Sequence, residues 1–249
     1  MNPLMLLGLI IGVMALGYGQ YLEGGSLSAL INGPALLIVL GGSFGAVLLQ
    51  TPGKSVARAL SLLGAALFNK QDDFNKTITR LVQLGFQTRR EGLLSLENAM
   101  EREKNPYLKK MLHLLIDGVD PESIRQIMEL EIIQHRASDI RASRFFESIG
   151  GYCPTFGIIG AVMGLIQVMG RLGQPEQLGS GIALAFVATV YGIVAANLIF
   201  LPLFGRIRAL IDYQSCYREM LLEGVLSLSV GENPRITELR LKGFLVGAI

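Results

Sequence analysis

Ile149–Gly170 reads IGGYCPTFGIIGAVMGLIQVMG, a run with no Asp, Glu, His, Lys or Arg. A bilayer core needs about 20 apolar residues in helical form, and this stretch supplies them. Gly157, Gly160, Ala161 and Gly164 recur at spacings of three and four, which places them on one helical face. In lipid, small residues on one face let another helix approach closely. Charges begin again just upstream, at Glu147, Arg144 and Arg141.

Working outward, three more stretches of this kind occur: Asn2–Leu22, Leu27–Gln50 and Gly179–Gly205. The last is longer than a bilayer requires, which tilt or extension can absorb. The charge is concentrated elsewhere. Of 22 Lys and Arg, 15 lie in Thr51–Ser148 and 6 in Arg206–Ile249, and Arg171 is the remaining one. Positive residues near span ends mark the cytoplasmic side, and Lys54, Arg58, Arg141, Arg144, Arg206 and Arg208 all qualify. Both termini and the large loop are therefore expected in the cytoplasm. Asn2–Leu22 lacks a basic leader and runs apolar for a full span, so it reads as a retained helix rather than a signal peptide.

Composition agrees. Of 249 residues, 51% are hydrophobic and 17% charged, against roughly 25% charged in soluble domains. That excludes a disordered chain and argues against an ordinary soluble enzyme. Thirty glycines without a Gly-X-Y period exclude collagen. Cys153 and Cys216 cannot form a disulfide framework and lack zinc-ligand spacing, so no metal or cofactor is expected. A net charge of +2 gives no reason to expect nucleic acid.

The fold expected is all-α: a polytopic membrane protein with four transmembrane helices and a cytoplasmic helical domain. Its parts are 1–50 (helices one and two), 51–148 (cytoplasmic domain), 149–205 (helices three and four) and 206–249 (cytoplasmic tail). Gly8, Gly12, Ala15 and Gly19 form a small face on the first helix. Thr51-Pro52-Gly53 ends the second. In the loop, Lys54–Phe68 places Val56, Leu60, Leu63 and Leu67 on one face. Asp72 or Asp73 can cap the next helix, with Ile78, Leu81 and Val82 inward. Gly92–Met100 reads as a short helix, and Asn105-Pro106 separates it from Tyr107–Ile116. Asp120-Pro121-Glu122 is a strong start, and nothing stops that helix before it feeds the third span. Asn233-Pro234 opens a last helix carrying Ile236, Leu239, Phe244 and Leu245. His113 is expected half-buried and His135 at the surface.

An ionisable group in the membrane usually marks an ion path, and the four apolar stretches contain none. Either the helices only anchor the cytoplasmic domain, or the titrating group comes from a partner helix. Small faces on the third helix and on the fourth (Ala185, Ala188, Thr189, Gly192, Ala196) favour the partner somewhat, with tight packing among the protein's own helices as the alternative. Pro154 and Pro202 each free a backbone carbonyl, which can bend the helix or hold water. Thr189 lies deep in the fourth span and can bond its own helix four residues back. Arg89, Arg90 and Glu97 flank a helix break, as a solvated charged face or as a contact surface that exchanges ion pairs with a partner.

Four segments together resemble the MotA/PomA flagellar motor stator proteins, most nearly the MotC branch: Tyr21-Leu22-Glu23-Gly24-Gly25, Arg89 to Glu97, Pro154 to Leu165, and Gly231-Glu232-Asn233-Pro234-Arg235. The resemblance spans essentially the whole chain. It implies a bacterial inner-membrane protein, five copies of which surround a dimer of a single-span, peptidoglycan-anchored partner of MotB type. That partner brings a membrane Asp, whose neutralisation and release step the ring. The loop then pushes the rotor protein FliG through Arg89, Arg90 and Glu97. By the same resemblance Pro154, Thr189 and Pro202 (the proline closing helix four) border the ion path and partner helix. Gly157, Gly160, Gly164 and Gly192 pack the helices. Sodium-driven relatives carry Thr where this chain has Ala161. Sodium must replace lost water with oxygen ligands and a methyl offers none, so proton drive is expected.

Two rivals remain, a TolQ/ExbB-type energiser with three spans and a non-conducting membrane scaffold. An enzyme is disfavoured, because no nucleophile arrangement, P-loop or dinucleotide loop occurs.

Overall fold

The computed structural model describes residues 3–25, 27–68 and 73–247, and among them the secondary structure is entirely helical. In chain order the helices are α1 (Pro3–Leu22), α2 (Gly33–Gln50), α3 (Gly53–Phe68), α4 (Phe74–Glu91), α5 (Glu97–Glu101) and α6 (Pro106–Ile116). After them come α7 (Pro121–Met169), α8 (Pro175–Val194), α9 (Leu201–Ser229), α10 (Pro234–Lys242) and α11 (Phe244–Gly247). Four helical stretches, α1, α2, part of α7 and part of α8–α9, are long and apolar enough to cross a membrane.

The chain forms two compact units, Met1–Asn69 with Asp139–Arg208, and Lys70–Ser138 with Ala209–Ile249. These boundaries differ from those drawn on charge at 51, 149 and 206. In particular, α3 groups with the spans and not with the loop.

In the first unit the second span is shorter than Leu27–Gln50. Leu27–Leu30 is a 3-10 turn, and α2 opens only at Gly33. Asn32 caps it by accepting the Ala35 N–H at 3.0 Å. Pro34 follows in the first turn, where its missing N–H costs nothing. Tyr191 closes the preceding turn onto α8: its hydroxyl donates to the Leu30 carbonyl at 2.5 Å and accepts the Asn32 N–H at 3.1 Å. A π turn, Leu37–Gly41, interrupts α2.

The fourth span contains a second π turn, Ala195–Phe200, and runs on through α9 to Ser229. Pro202 was expected to close this helix and does not. The π turn directly before it carries the Leu201 N–H to the Ala196 carbonyl, five residues back. That extra residue re-forms the hydrogen-bond pattern, so the proline is absorbed near the start of α9.

On α3 the inward residues are Ala59, Leu62 and Ala66, while Leu60 is 54% exposed. The expected face of Val56, Leu60, Leu63 and Leu67 is thus rotated. The alanines permit close approach, and the bulkier Leu60 is left outward.

The second unit has a dense core, with Leu81, Leu96, Met111, Leu112, Ile124, Met128, Met220, Leu221, Val225 and Leu241 almost wholly buried. Burying each such side chain contributes about 1.5–3 kcal/mol. Ile78 and Leu81 face inward on α4, and Val82 packs against the same core. Asp73 caps α4 by accepting the Lys76 N–H at 3.2 Å; the alternative cap, Asp72, lies outside the described residues. Gly224 on α9 meets the Leu81 side chain. As the Asp120 start implied, α7 is one helix from Pro121 to Met169, with the Asp120 carboxylate accepting the Ser123 N–H at 2.9 Å.

Three expectations for this unit are corrected. Gly92–Met100 is not one helix: Gly92 has φ +82° and caps α4, a 3-10 turn covers Leu93–Leu96, and α5 begins at Glu97. The last helix divides at Gly243 into α10 and α11, and α10 buries Pro234, Thr237 and Leu241 while Ile236 and Leu239 are exposed. His113 is exposed rather than half-buried, with Nδ1 2.7 Å from the Asp117 carboxylate. Leu112 and Leu115 take the core-facing side of α6 and turn His113 to solvent.

Candidate functional site

The small faces of α7 and α8 are spent largely on each other. A Cβ on Gly164 would lie 2.5 Å from the Gly181 carbonyl oxygen and 2.7 Å from the Ala185 nitrogen. On Gly192 it would lie 2.5 Å from the Cys153 carbonyl oxygen and 3.1 Å from the Pro154 Cα. A Cβ on Gly160 would lie 2.6 Å from the Ala188 methyl, and one on Gly157 would lie 3.0 Å from the Ala188 carbonyl oxygen and 3.3 Å from the Thr189 Cα. These are backbone or Cβ contacts, so no side-chain rotation can make room. Gly42 on α2 similarly holds the Phe156 ring against it.

The outer face of α7 is different. Ile158, Ile159, Val162, Met163, Leu165 and Ile166 are all exposed. Ala161 and Pro154 are half-buried. Thr189 is half-buried too, and its hydroxyl donates to the Ala185 carbonyl at 3.1 Å, the bond to its own helix that its position allowed. Pro202 stands apart from this contact, exposed in a groove against α1. On α1 only one part of the small face is used within the chain: Gly12 meets the Leu198 side chain, while Gly8 and Gly19 face open space.

Arg89, Arg90 and Glu97 lie in the second unit. Arg89 and Arg90 form the last turn of α4, and Glu97 opens α5. Between them the chain is braced: Gly92 N–H donates to the Thr88 carbonyl at 2.9 Å, and the Gln87 side-chain amide donates to the Ser95 carbonyl at 2.9 Å. Leu96 is fully buried beneath the turn. All three charged residues are exposed, and none has an ion-pair partner among the described residues. Glu97 also borders a groove of about 350 Å³ with Glu101, His113 and Asp117.

The sequence reading did not single out Tyr191, Gly181 or Asp139, and it gave Arg58 only as a span-end cation and Phe156 only as part of the Pro154–Leu165 segment. Tyr191 carried a visible signal, a phenol hydroxyl in an apolar span that needs a partner. Arg58 and Asp139 are 81 residues apart, and no local pattern joins them. Among the described residues no cluster of His, Cys, Asp or Glu is arranged to hold a metal.

The architecture defines a class: a helical membrane protein with four spans and a helical domain inserted between the second and third. Comparison with known proteins is specific. A family model described as Motility protein A N-terminal matches residues 6–92, and one described as the MotA/TolQ/ExbB proton channel family matches residues 99–220. Motility protein A of Bacillus subtilis (strain 168) is 34% identical over 247 residues, 98% of this chain and 91% of its own. Chemotaxis protein PomA of Vibrio alginolyticus is 30% identical over 240 residues, 96% of this chain and 94% of its own. Among solved structures, the C. jejuni MotAB structure superposes with a TM-score of 0.93 at 30% identity, covering 98% of this chain and 96% of that one. The flagellar MotAB stator complex of Bacillus subtilis gives 0.87 at 33% identity, covering 94% and 92%.

The chain belongs to the MotA/TolQ/ExbB proton channel family, in its motility branch. It is a membrane-embedded flagellar stator subunit, not an enzyme. The match of residues 6–92 to the motility-specific N-terminal model separates it from the TolQ/ExbB energisers.

Proposed function

We propose that this chain forms the sleeve of a proton-driven stator and that a single-span partner of MotB type supplies the carboxylate that carries the ion. The observation behind this reading is the absence of Asp, Glu, His, Lys and Arg from all four apolar stretches in a member of a proton channel family. Both matched structures are named as MotAB assemblies, which supports such a partner and a multimeric ring. A ring of five around a partner dimer follows from the resemblance.

In this reading α7 and α8 lock through Gly157, Gly160, Gly164 and Gly192, and Pro154, Ala161, Thr189 and Pro202 border the partner helix or the ion route. The α7–α8 pair is held by backbone contacts, so it moves as a stiff wall past the partner. Protonation of the partner carboxylate removes its charge, and release to the cytoplasm restores it. One charge crossing 100 mV delivers about 2.3 kcal/mol, several times thermal energy per step. The Arg89, Arg90 and Glu97 charges engage FliG; they have no ion-pair partner among the described residues, which leaves them available for exchange with a rotor. Both termini and the loop face the cytoplasm of a cell whose inner membrane holds the ring, as the distribution of Lys and Arg favours. Ala161 offers no oxygen ligand, which favours protons over sodium.

The test is motility in a strain without its own stator genes, restored by this chain with its partner. Swimming speed is expected to fall when the proton gradient is collapsed and to persist when sodium is removed. The reverse pattern overturns proton coupling.

A further inference from the structure

Between α1 and the α8–α9 junction lies an open groove of about 310 Å³, walled by Leu4, Gly8, Leu9, Leu198, Pro202 and Leu203 among others, all apolar. Gly8 meets nothing within 4 Å, so the absence of a side chain there is what leaves the groove deep. One turn beyond Pro202 and Leu203, on the same side of α9 by helical spacing, stands Arg206. Its Nε donates to the Ala66 carbonyl at 3.1 Å, one of the last carbonyls of α3, which fixes the guanidinium at the end of the span. That bond leaves both Nη groups without an ion-pair partner among the described residues. No acidic side chain lines the groove.

We propose that this groove is a binding site for one anionic phospholipid, its acyl chain against Gly8 and Leu203 and its phosphate on Arg206. An aliphatic slot within a span, with an arginine one helical turn past two of its walls, matches a molecule that is aliphatic along its length and anionic at one end. Basic pockets between membrane helices select anionic headgroups on the same basis, and a guanidinium suits a phosphate because its donors are planar and paired. A second copy of this chain would satisfy the apolar wall, but its apolar spans carry no acid to offer Arg206. The inference needs only that α1 and α8–α9 cross a bilayer; it shares Pro202 with the ion-route reading above and rests on no other ion or rotor assignment.

The full chain is reconstituted in nanodiscs of dioleoyl phosphatidylcholine with an equal share of dioleoyl phosphatidylglycerol. Retained lipid is then counted by native mass spectrometry after release into mild detergent. The expected result is retention of phosphatidylglycerol over phosphatidylcholine by about fivefold, the ratio one interfacial cation provides. Arg206→Gln should bring that ratio to about one and Arg206→Lys should keep most of it. Gly8→Leu should lower retention of both lipids by filling the slot. Unchanged phosphatidylglycerol retention in both Arg206→Gln and Gly8→Leu overturns the proposal. So does efficient disulfide formation between copies carrying Leu4→Cys and Leu203→Cys, which would show a second chain in the groove.

Discussion

Arg58 grips Asp139 through two hydrogen bonds, Nε to Oδ1 at 2.6 Å and Nη2 to Oδ2 at 2.9 Å, with the Asp139 side chain only 3% exposed. The pair ties α3 to α7 just before the third span begins. The Arg58 side chain is 42% exposed, so water screens part of the pair, and removing it costs about 1–3 kcal/mol, the penalty of leaving the buried Asp139 carboxylate without its partner. Arg58→Met should therefore lower the thermal midpoint sharply in detergent, and Arg58→Met with Asp139→Leu should recover most of the loss. A wild-type midpoint for Arg58→Met alone would show that water reaches Asp139.

The α7–α8 contact yields a contrast between glycines. A methyl at Gly164 collides with backbone atoms of Gly181 and Ala185, whereas one at Gly8 meets open space. Overpacking of this kind costs about 1–3 kcal/mol. Gly164→Ala should reduce assembled protein in the membrane and slow swimming; Gly8→Ala should leave both near wild type. Blue-native electrophoresis beside a motility assay reads the two effects, and equal tolerance of both changes would mean that the helices part easily.

Exposure, with no ion-pair partner among the described residues, makes Arg89, Arg90 and Glu97 separable from folding. Arg90→Glu should change stability by no more than about 0.5 kcal/mol, as surface substitutions do, while lowering torque. Tethered-cell rotation with membrane levels tracked in parallel checks this. If torque is unaltered when all three residues are neutralised, they have no part in driving the rotor.

Much of the architecture is legible because the deciding signals are local. Charge-free runs set the spans, and Asp120-Pro121 starts a helix that no Gly-Pro pair interrupts before the membrane. What escapes the sequence is set by contacts. Period alone shows that α3 has an apolar stripe, but the small Ala59 and Ala66 decide which stripe faces inward. The π turns at Leu37–Gly41 and Ala195–Phe200 leave no compositional mark, so the way the second of them carries the helix on past Pro202 is not legible in the sequence. For the site, the α7 and α8 stripes were visible, but that they fill each other depends on the register of two helices joined by a turn. Tyr191 bonding Leu30, 161 residues away, depends on tertiary arrangement in the same way.

Asp120 gives a pH signature for the start of α7. The Ser123 hydroxyl and then its backbone N–H bond the Asp120 carboxylate and hold it below the usual carboxylate range. A carboxyl with a lowered folded-state pKa stabilises the fold above its unfolded value of about 3.9 and ceases to do so as pH falls through the folded one. Asp120→Asn retains a capping oxygen but cannot titrate. The thermal midpoint of the wild type should exceed that of Asp120→Asn at about pH 6 and converge on it in strong acid. A gap that stays constant with pH would mean the cap does not depend on charge.

The division of labour between sleeve and acid is tested most directly by proton flux. Purified chain alone, in liposomes under a pH gradient and membrane potential, should leave the internal pH as steady as in empty liposomes. Adding an unplugged MotB-type partner should collapse the gradient, and replacing the partner's membrane Asp with Asn should abolish that flux. Proton conduction by this chain with no second subunit present would contradict the account.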